Sequence, residues 1–272
     1  MTGMGLTYVK LPARRGSIIA EKGNSATERA ETTERSRGLK QHVPSPIRLP
    51  FRDRIQAGAL LGQALQHYAG RDDVLVLALP RGGVPVAFEI VKAIQAPLDL
   101  LLVRKLGTPG QEELAMVAIA PGGVRLLNAD IVAQLRISDK EIEEIAARER
   151  EELERRQRAY RGDRPEPEVR GRCVILVDDG LATGASMRTA IKALRQRQPG
   201  RIVVAVPVAP KETIDTLRGE ADEVVCLATP APFWAIGGWY QHFPQTSDAE
   251  VKSLLGLAWS TSPQHGVNSE RV

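Results

Sequence analysis

Hydrophobic positions along the chain fall into short uninterrupted runs separated by stretches of helical period. Residues 74–79, 98–103, 174–177, 202–206 and 224–227 are apolar at nearly every position. That is the pattern of parallel strands covered on both faces. Residues 84–95, 187–194 and 211–217 read as helices between them. A further helix begins near Phe51, because Leu61, Ala64, Leu65 and Tyr68 fall at i, i+3, i+4 and i+7; Gly70 closes it. Residues 114–120 and 124–127 read as two short strands joined through Pro121-Gly122-Gly123. A Gly/Pro loop is expected over 106–111.

A long helix is predicted over 138–160. Ser138 with Glu141 three residues on forms a capping box. Glu144/Arg148, Glu151/Arg155, Glu152/Arg156 and Glu154/Arg158 are i,i+4 pairs in the favourable orientation. The apolar stripe is thin: Ile142, Ile145, Leu153. This reads as a mostly solvated helix docked along one edge, with a subunit contact as the sharper alternative. Apolar strands alternating with helices predict an α/β fold, a parallel twisted sheet with helices on both faces. Ligands bind such sheets outside the carboxyl ends of the strands. The loops after Leu79, Val103 and Asp178 therefore share one edge.

Composition refines this picture in two places. The 272 residues carry a net charge of +4, which at first suggests a nucleic-acid partner. Residues 1–48, however, hold nine of the 37 basic residues and four of the 33 acidic ones. The remainder is close to neutral, so nucleic-acid binding is not expected. Residues 1–48 lack a sustained period and end among Pro44, Pro46 and Pro50; they read as a disordered basic extension. Residues 49–259 form the predicted domain, and 260–272 a flexible tail. The two cysteines, Cys173 and Cys226, flank strand-like runs and read as reduced, buried thiols without metal spacing. No apolar run has transmembrane length, and residues 17–20 are too short for a secretory core. A cytoplasmic protein is the expectation.

The chemistry concentrates in Val174-Ile175-Leu176-Val177-Asp178-Asp179-Gly180-Leu181-Ala182-Thr183-Gly184-Ala185-Ser186. A buried strand ends in two carboxylates and turns through small residues into a helix. The turn's N–H groups and the helix dipole attract a phosphate. The carboxylates can accept hydrogen bonds from sugar hydroxyls. Each piece alone has an ordinary use: acids solvated at a strand end, Thr183 or Ser186 as an N-cap, Pro80-Arg81-Gly82-Gly83 as a tight turn, Arg104-Lys105 as a solvated pair. Their order, each at a strand's carboxyl end, points to one ligand site.

This set resembles type I phosphoribosyltransferases. Asp178-Asp179 with Thr183-Gly184-Ala185-Ser186 looks like their phosphoribosyl-pyrophosphate (PRPP) motif. Pro80-Arg81-Gly82-Gly83 resembles their pyrophosphate loop. The resemblance covers roughly residues 51–259. Leu79-Pro80-Arg81-Gly82-Gly83-Val84-Pro85, the Val103-Arg104-Lys105 loop and the charged inserted helix point to a stand-alone bacterial branch of that superfamily. It implies that Asp178 and Asp179 accept the ribose hydroxyls. Ala182, Thr183, Gly184, Ala185 and Ser186 would cradle the 5′-phosphate. Pro80, Arg81, Gly82 and Gly83 would hold pyrophosphate, with a cis peptide at Pro80–Arg81. Arg104 and Lys105 would close over the leaving group as a mobile loop. The catalytic set implied is Arg81, Arg104, Lys105, Asp178 and Asp179. Mg²⁺ would sit on pyrophosphate and ribose oxygens, with no all-protein cage.

The implied activity is that of a pentosyltransferase: displacement of pyrophosphate from PRPP by a nitrogen nucleophile, a nucleobase-like heterocycle. For the acceptor, Phe233, Trp234 and Tyr240 in a hood over 229–246 offer an aromatic platform; equally, they pack the C-terminal segment against the sheet. Residues 248–251 read as the start of a terminal helix rather than as a site. Three features depart from the family pattern. Gly180 stands where a larger apolar residue is common, Ala182 where a second hydroxyl is common, and the loop 104–111 is short. A second reading keeps the fold but makes the protein a non-catalytic PRPP-binding regulator. Arg81 and Arg104-Lys105 tilt toward the enzyme, since a sensor need not stabilise departing pyrophosphate. Dimers are common in the superfamily, so a homodimer is the expectation.

Overall fold

A computed structural model describes residues 47–108, 111–120, 124–127 and 139–261. Its centre is a five-stranded parallel sheet. The strands are β1 (Val74–Ala78), β2 (Leu98–Leu100), β6 (Cys173–Val177), β7 (Arg201–Val208) and β8 (Glu223–Ala228), in spatial order β2-β1-β6-β7-β8. Every residue of β1 and β6 is buried, as their unbroken apolar runs require.

Successive side chains leave a strand on opposite faces, and the two faces have separate cores. Val74, Val76, Ile175 and Val177 pack with Leu61 and Leu65, Ile90 and Ile94, and Val251 and Leu255. These come from helices α1 (Arg54–Ala64), with the turn after it, α2 (Gly83–Ile94) and α6 (Asp248–Thr261). Leu75, Leu77, Val174 and Leu176 pack with Met187, Ile191, Leu194, Ile214 and Leu217. Those belong to α4 (Ala185–Gln196) and α5 (Lys211–Arg218). Asp53 caps α1 by accepting the Gln56 N–H at 2.8 Å. Both cysteines are free thiols, Cys173 buried and Cys226 partly so.

The register aligns the carboxyl ends. Ala78 pairs with Leu100 on one side and Val177 on the other, and Val177 pairs with Ala205. The loops after β1, β2 and β6 thus leave the same edge.

Between β2 and β6 the chain departs from the expected layout. The strand predicted over 98–103 ends at Leu100, although the Leu101 N–H still reaches the Ala78 carbonyl at 3.0 Å. The predicted loop at 106–111 is largely strand: β3 (Arg104–Thr108) pairs antiparallel with β4 (Gln111–Ala120), which pairs with β5 (Val124–Leu127). The β4–β5 pairing is the expected hairpin. Neighbouring-strand pairing supplies the backbone partners that a local Gly/Pro reading ignores. Helix α3 (Asp139–Arg161) follows.

The C-terminal end of α3 is fastened rather than merely docked. Arg161 is buried, donates from Nε to Asp99 Oδ1 at 2.7 Å and from Nη2 to the Leu100 carbonyl at 2.6 Å. Burial raises the Asp99 carboxyl, and Arg161 opposes that rise. Tyr160 donates to Asp248 at 2.6 Å, and Leu153 is buried. The expected terminal tail from 260 is helical through Thr261, while the predicted basic extension lies almost wholly outside the described residues. No helix among the described residues is long and apolar enough to cross a membrane.

Candidate active site

A cavity of about 360 Å³ opens at the carboxyl edge of the sheet, within the ~300–1,000 Å³ typical of small-molecule sites. One side consists of Leu79, Pro80, Arg81, Asp178 and Ser186; the other of residues 101–103 and the α3 residues Leu153, Arg155, Arg156, Ala159 and Tyr160, with Asp248 at the rim. The loops after β1, β2 and β6 do converge.

The turn after β6 leaves its amides available. Gly184 is the N-cap of α4 at φ +71°, a left-handed conformation that favours glycine, and its Cα faces Thr213 so closely that a Cβ would lie 2.7 Å from Cγ2. Thr213 fixes the turn by donating to the Ala182 carbonyl at 2.7 Å. Thr183 Oγ1 lies 3.4 Å from the Ala185 nitrogen. The N–H groups of Ala182, Thr183, Gly184 and Ser186 have no acceptor among the described residues. Free amides at a helix N-terminus make an anion cradle. The departure at Gly180 has a packing cause: a Cβ there would lie 2.6 Å from Ile236 Cγ2, which fills the space a larger residue would take.

The two aspartates have different surroundings. Asp178 lines the cavity, and one carboxylate oxygen accepts the Asp179 N–H at 2.9 Å. Burial and the neighbouring Asp179 charge push its carboxyl well above the usual carboxylate range. Asp179 does not line the cavity. Its Oδ2 accepts from Arg54 Nε at 2.8 Å, and both side chains are nearly buried. Burial raises this carboxyl too, while the Arg54 charge and hydrogen bond oppose the rise. Arg54 is itself held by the Pro244 carbonyl at 2.7 Å and by the Phe243 ring, 3.8 Å away. In this structure Asp179 is bound to α1 rather than presented to a sugar.

Pro80–Arg81 is a cis peptide, at the position the resemblance implies. The glycines after it have a further role. A Cβ at Gly82 would lie 2.0 Å from Asp179 Oδ2, and one at Gly83 2.6 Å from the Val177 carbonyl oxygen. They let this loop lie against the end of β6, which accounts for both without a ligand. Arg81 Nη1 sits 3.6 Å from Asp248 Oδ1. The Tyr160 hydrogen bond, then the Arg81 charge, hold the Asp248 carboxyl below its ordinary value. Burial and that same bond push Tyr160 up to about 12.

Two of the expected residues have side chains outside the described residues, and the three expected acceptor residues stand away from the cavity. Arg104 and Lys105 open β3; their side chains lie outside the described residues. Tyr240 is buried, donates to the Asp179 carbonyl at 2.6 Å and stacks on Phe243 at 4.8 Å between ring centres. Phe233 packs near Trp239 in the same cluster, over Phe51 and Val208, while Trp234 is 88% exposed. None of the three lines the cavity. The aromatic segment joins the stretch leading into α1 instead: the Phe51 N–H reaches the Trp239 carbonyl and the Gln241 N–H the Phe51 carbonyl.

Sequence reading missed Arg54, Arg155, Arg156, Tyr160 and the second role of Asp248, which both begins α6 and rims the cavity. A signal existed for the α3 residues. Leu153, Arg156 and Tyr160 are spaced i, i+3, i+7, so they continue one face inward.

Comparison with known proteins identifies the family. The sequence profile of the phosphoribosyl transferase domain matches residues 54–239. Two Mycobacterium tuberculosis sequences, from strains CDC 1551 and H37Rv, are provisionally named phosphoribosyl transferases. Each is 47% identical over 208 residues, covering 76% of this chain and 47% of the relative. The chain therefore spans about half the length of these relatives. The crystal structure of TT1426 from Thermus thermophilus is similar with a TM-score of 0.67 and 45% identity, covering 75% of this chain and 97% of that one.

Proposed function

The chain belongs to the phosphoribosyl transferase family, and from that premise we propose that it transfers the phosphoribosyl group of PRPP to a nitrogen nucleophile, releasing pyrophosphate. The observation that carries this reading is the shared cavity. Ser186 from the 182–186 anion cradle, the partly buried Asp178 carboxylate and Pro80-Arg81 all line one space.

The donor would lie along that edge. Its 5′-phosphate would take the free N–H groups and the Ser186 hydroxyl. Asp178 would accept from a ribose hydroxyl, with Asp179 acting behind it by fixing the strand end and the 80–83 loop. Arg81 would exchange Asp248 for pyrophosphate. Departure of an anion from a carbon with oxocarbenium character is assisted by fixed positive groups aimed at the leaving oxygens. Holding donor and acceptor together removes the entropy of their encounter.

Mg²⁺ is the expected cofactor, and the donor set fits it. No cluster of three or more metal-ligating side chains exists among the described residues, while Asp178 offers one carboxylate beside the space for phosphates. Mg²⁺ commonly binds through one or two carboxylates plus substrate oxygens and water. When bound, it would offset the charge of pyrophosphate.

The test is PRPP-dependent thermal stabilisation with Mg²⁺, followed by pyrophosphate release across a panel of bases and amines. Asp178→Asn should abolish the stabilisation. An undiminished shift in that variant defeats the site, and binding without release from any acceptor returns the protein to the regulator reading.

A further inference from the structure

The donor's two anionic ends already have cradles, at 182–186 and at 80–83. The cavity nevertheless carries more positive charge on its opposite side. Arg155 and Arg156 both reach it from α3. Glu152 holds them as a pair: it accepts from Arg155 Nε at 2.7 Å and Nη2 at 3.0 Å, and from Arg156 Nε at 2.9 Å. One carboxylate thus orients two guanidinium groups. Arg155 Nη1 and both terminal nitrogens of Arg156 have no hydrogen-bond partner among the described residues. The fixed fork of such groups matches a carboxylate or phosphate.

The rest of this side is largely apolar, lined by Leu101, Leu102, Val103, Leu153 and Ala159. The residues expected to form an aromatic platform for a neutral base, Phe233, Trp234 and Tyr240, stand elsewhere; among the described residues the cavity has one aromatic side chain, Tyr160, whose hydroxyl is given to Asp248.

Resting on the transferase reading above, we infer that the acceptor is an anion: a small nitrogen heterocycle carrying a carboxylate or similar group, bound by Arg155 and Arg156. These two residues set acceptor specificity from the inserted helix, and the C-terminal aromatic segment takes no part.

Matched pairs that differ by one carboxylate test this. The protein is first saturated with Mg²⁺ and PRPP, then titrated by calorimetry with nicotinate against nicotinamide and orotate against uracil; pyrophosphate release is read in parallel. In at least one pair the acid should bind about tenfold or more tightly than its neutral partner, roughly the worth of one good charged contact. Arg155→Ala with Arg156→Ala should erase that preference, and Arg→Lys at both positions should restore part of it. Both side chains are largely exposed, so circular dichroism should show the variant folded. No binding of either acid, a preference for the neutral member, or a preference that survives the double substitution overturns the inference. So does weaker PRPP binding in the variant with unchanged acid preference, which would assign the arginines to pyrophosphate. Failure of the wild type to bind PRPP defeats the transferase reading separately, before any acceptor is added.

Discussion

On one side the cavity is bounded by Leu79, Pro80, Arg81, Asp178 and Ser186, which sit on two turns of tightly packed backbone, with glycines against carboxylate and carbonyl oxygens and free N–H groups beside the lining. Across from it, α3 bounds the same space with long side chains held at one end. The backbone side tolerates almost no change of residue, because a single added carbon collides with Asp179 or Val177. The helix side constrains only what fastens it. Arg155 and Arg156 extend into the opening on exposed arms, and their identity is set by what they bind. One side is a fixed cradle, and the other is where a substrate class can be chosen.

The comparison can be broken most forcefully at the fastening. Arg161→Met leaves Asp99 buried without its partner, and such losses cost about 3–5 kcal/mol. Urea denaturation should show that loss. A change under about 1 kcal/mol would mean that α3 is held by something else.

Next is the cradle. Gly82→Ala forces a methyl group to within 2.0 Å of Asp179 Oδ2. Overpacking of this kind costs about 1–3 kcal/mol, and PRPP-dependent stabilisation should fall with it. If the variant is as stable as wild type and binds PRPP equally, the 80–83 loop is not wedged against β6 as described.

A smaller effect has the opposite sign. The raised Asp178 carboxyl means that the folded protein takes up a proton more readily than the unfolded chain. Wild type therefore loses stability as pH rises above the unfolded carboxylate value, about 4. Asp178→Asn removes that loss. The variant should unfold at higher denaturant than wild type at pH 7, and the difference should vanish below about pH 4. A variant less stable than wild type at pH 7 would remove Asp178 as a residue kept at a cost to the fold.

The smallest effect should come from the exposed arms. Arg155→Ala should leave the unfolding midpoint close to that of wild type, since the Glu152 pair lies at the surface. Equilibrium unfolding checks it; a larger loss would make Arg155 part of the fastening.

Legibility in the sequence follows the same division. The sheet was readable because strands buried on both faces must be apolar throughout, and the cradle because few residues fit a strand that turns at once into a helix. The three-stranded sheet was less readable, since antiparallel partners supply what residues 104–108 lack locally. Asp178 and Asp179 looked equivalent because sequence spacing says nothing of Arg54, 125 residues away along the chain. The aromatics at 233–243 were ambiguous because packing and stacking select the same residue types.

Asp99 and Arg161 also mark where a long excursion leaves the sheet and returns. The chain departs at Leu100, passes through β3, β4, β5 and α3, and comes back to Asp99 and the Leu100 carbonyl. An excursion whose two ends are clasped together is modular. Its interior can lengthen, shorten or be exchanged at little entropic penalty, because closure cost grows only slowly with loop length. Exchange between relatives of everything between these two residues would then move acceptor choice while leaving the donor cradle as it stands.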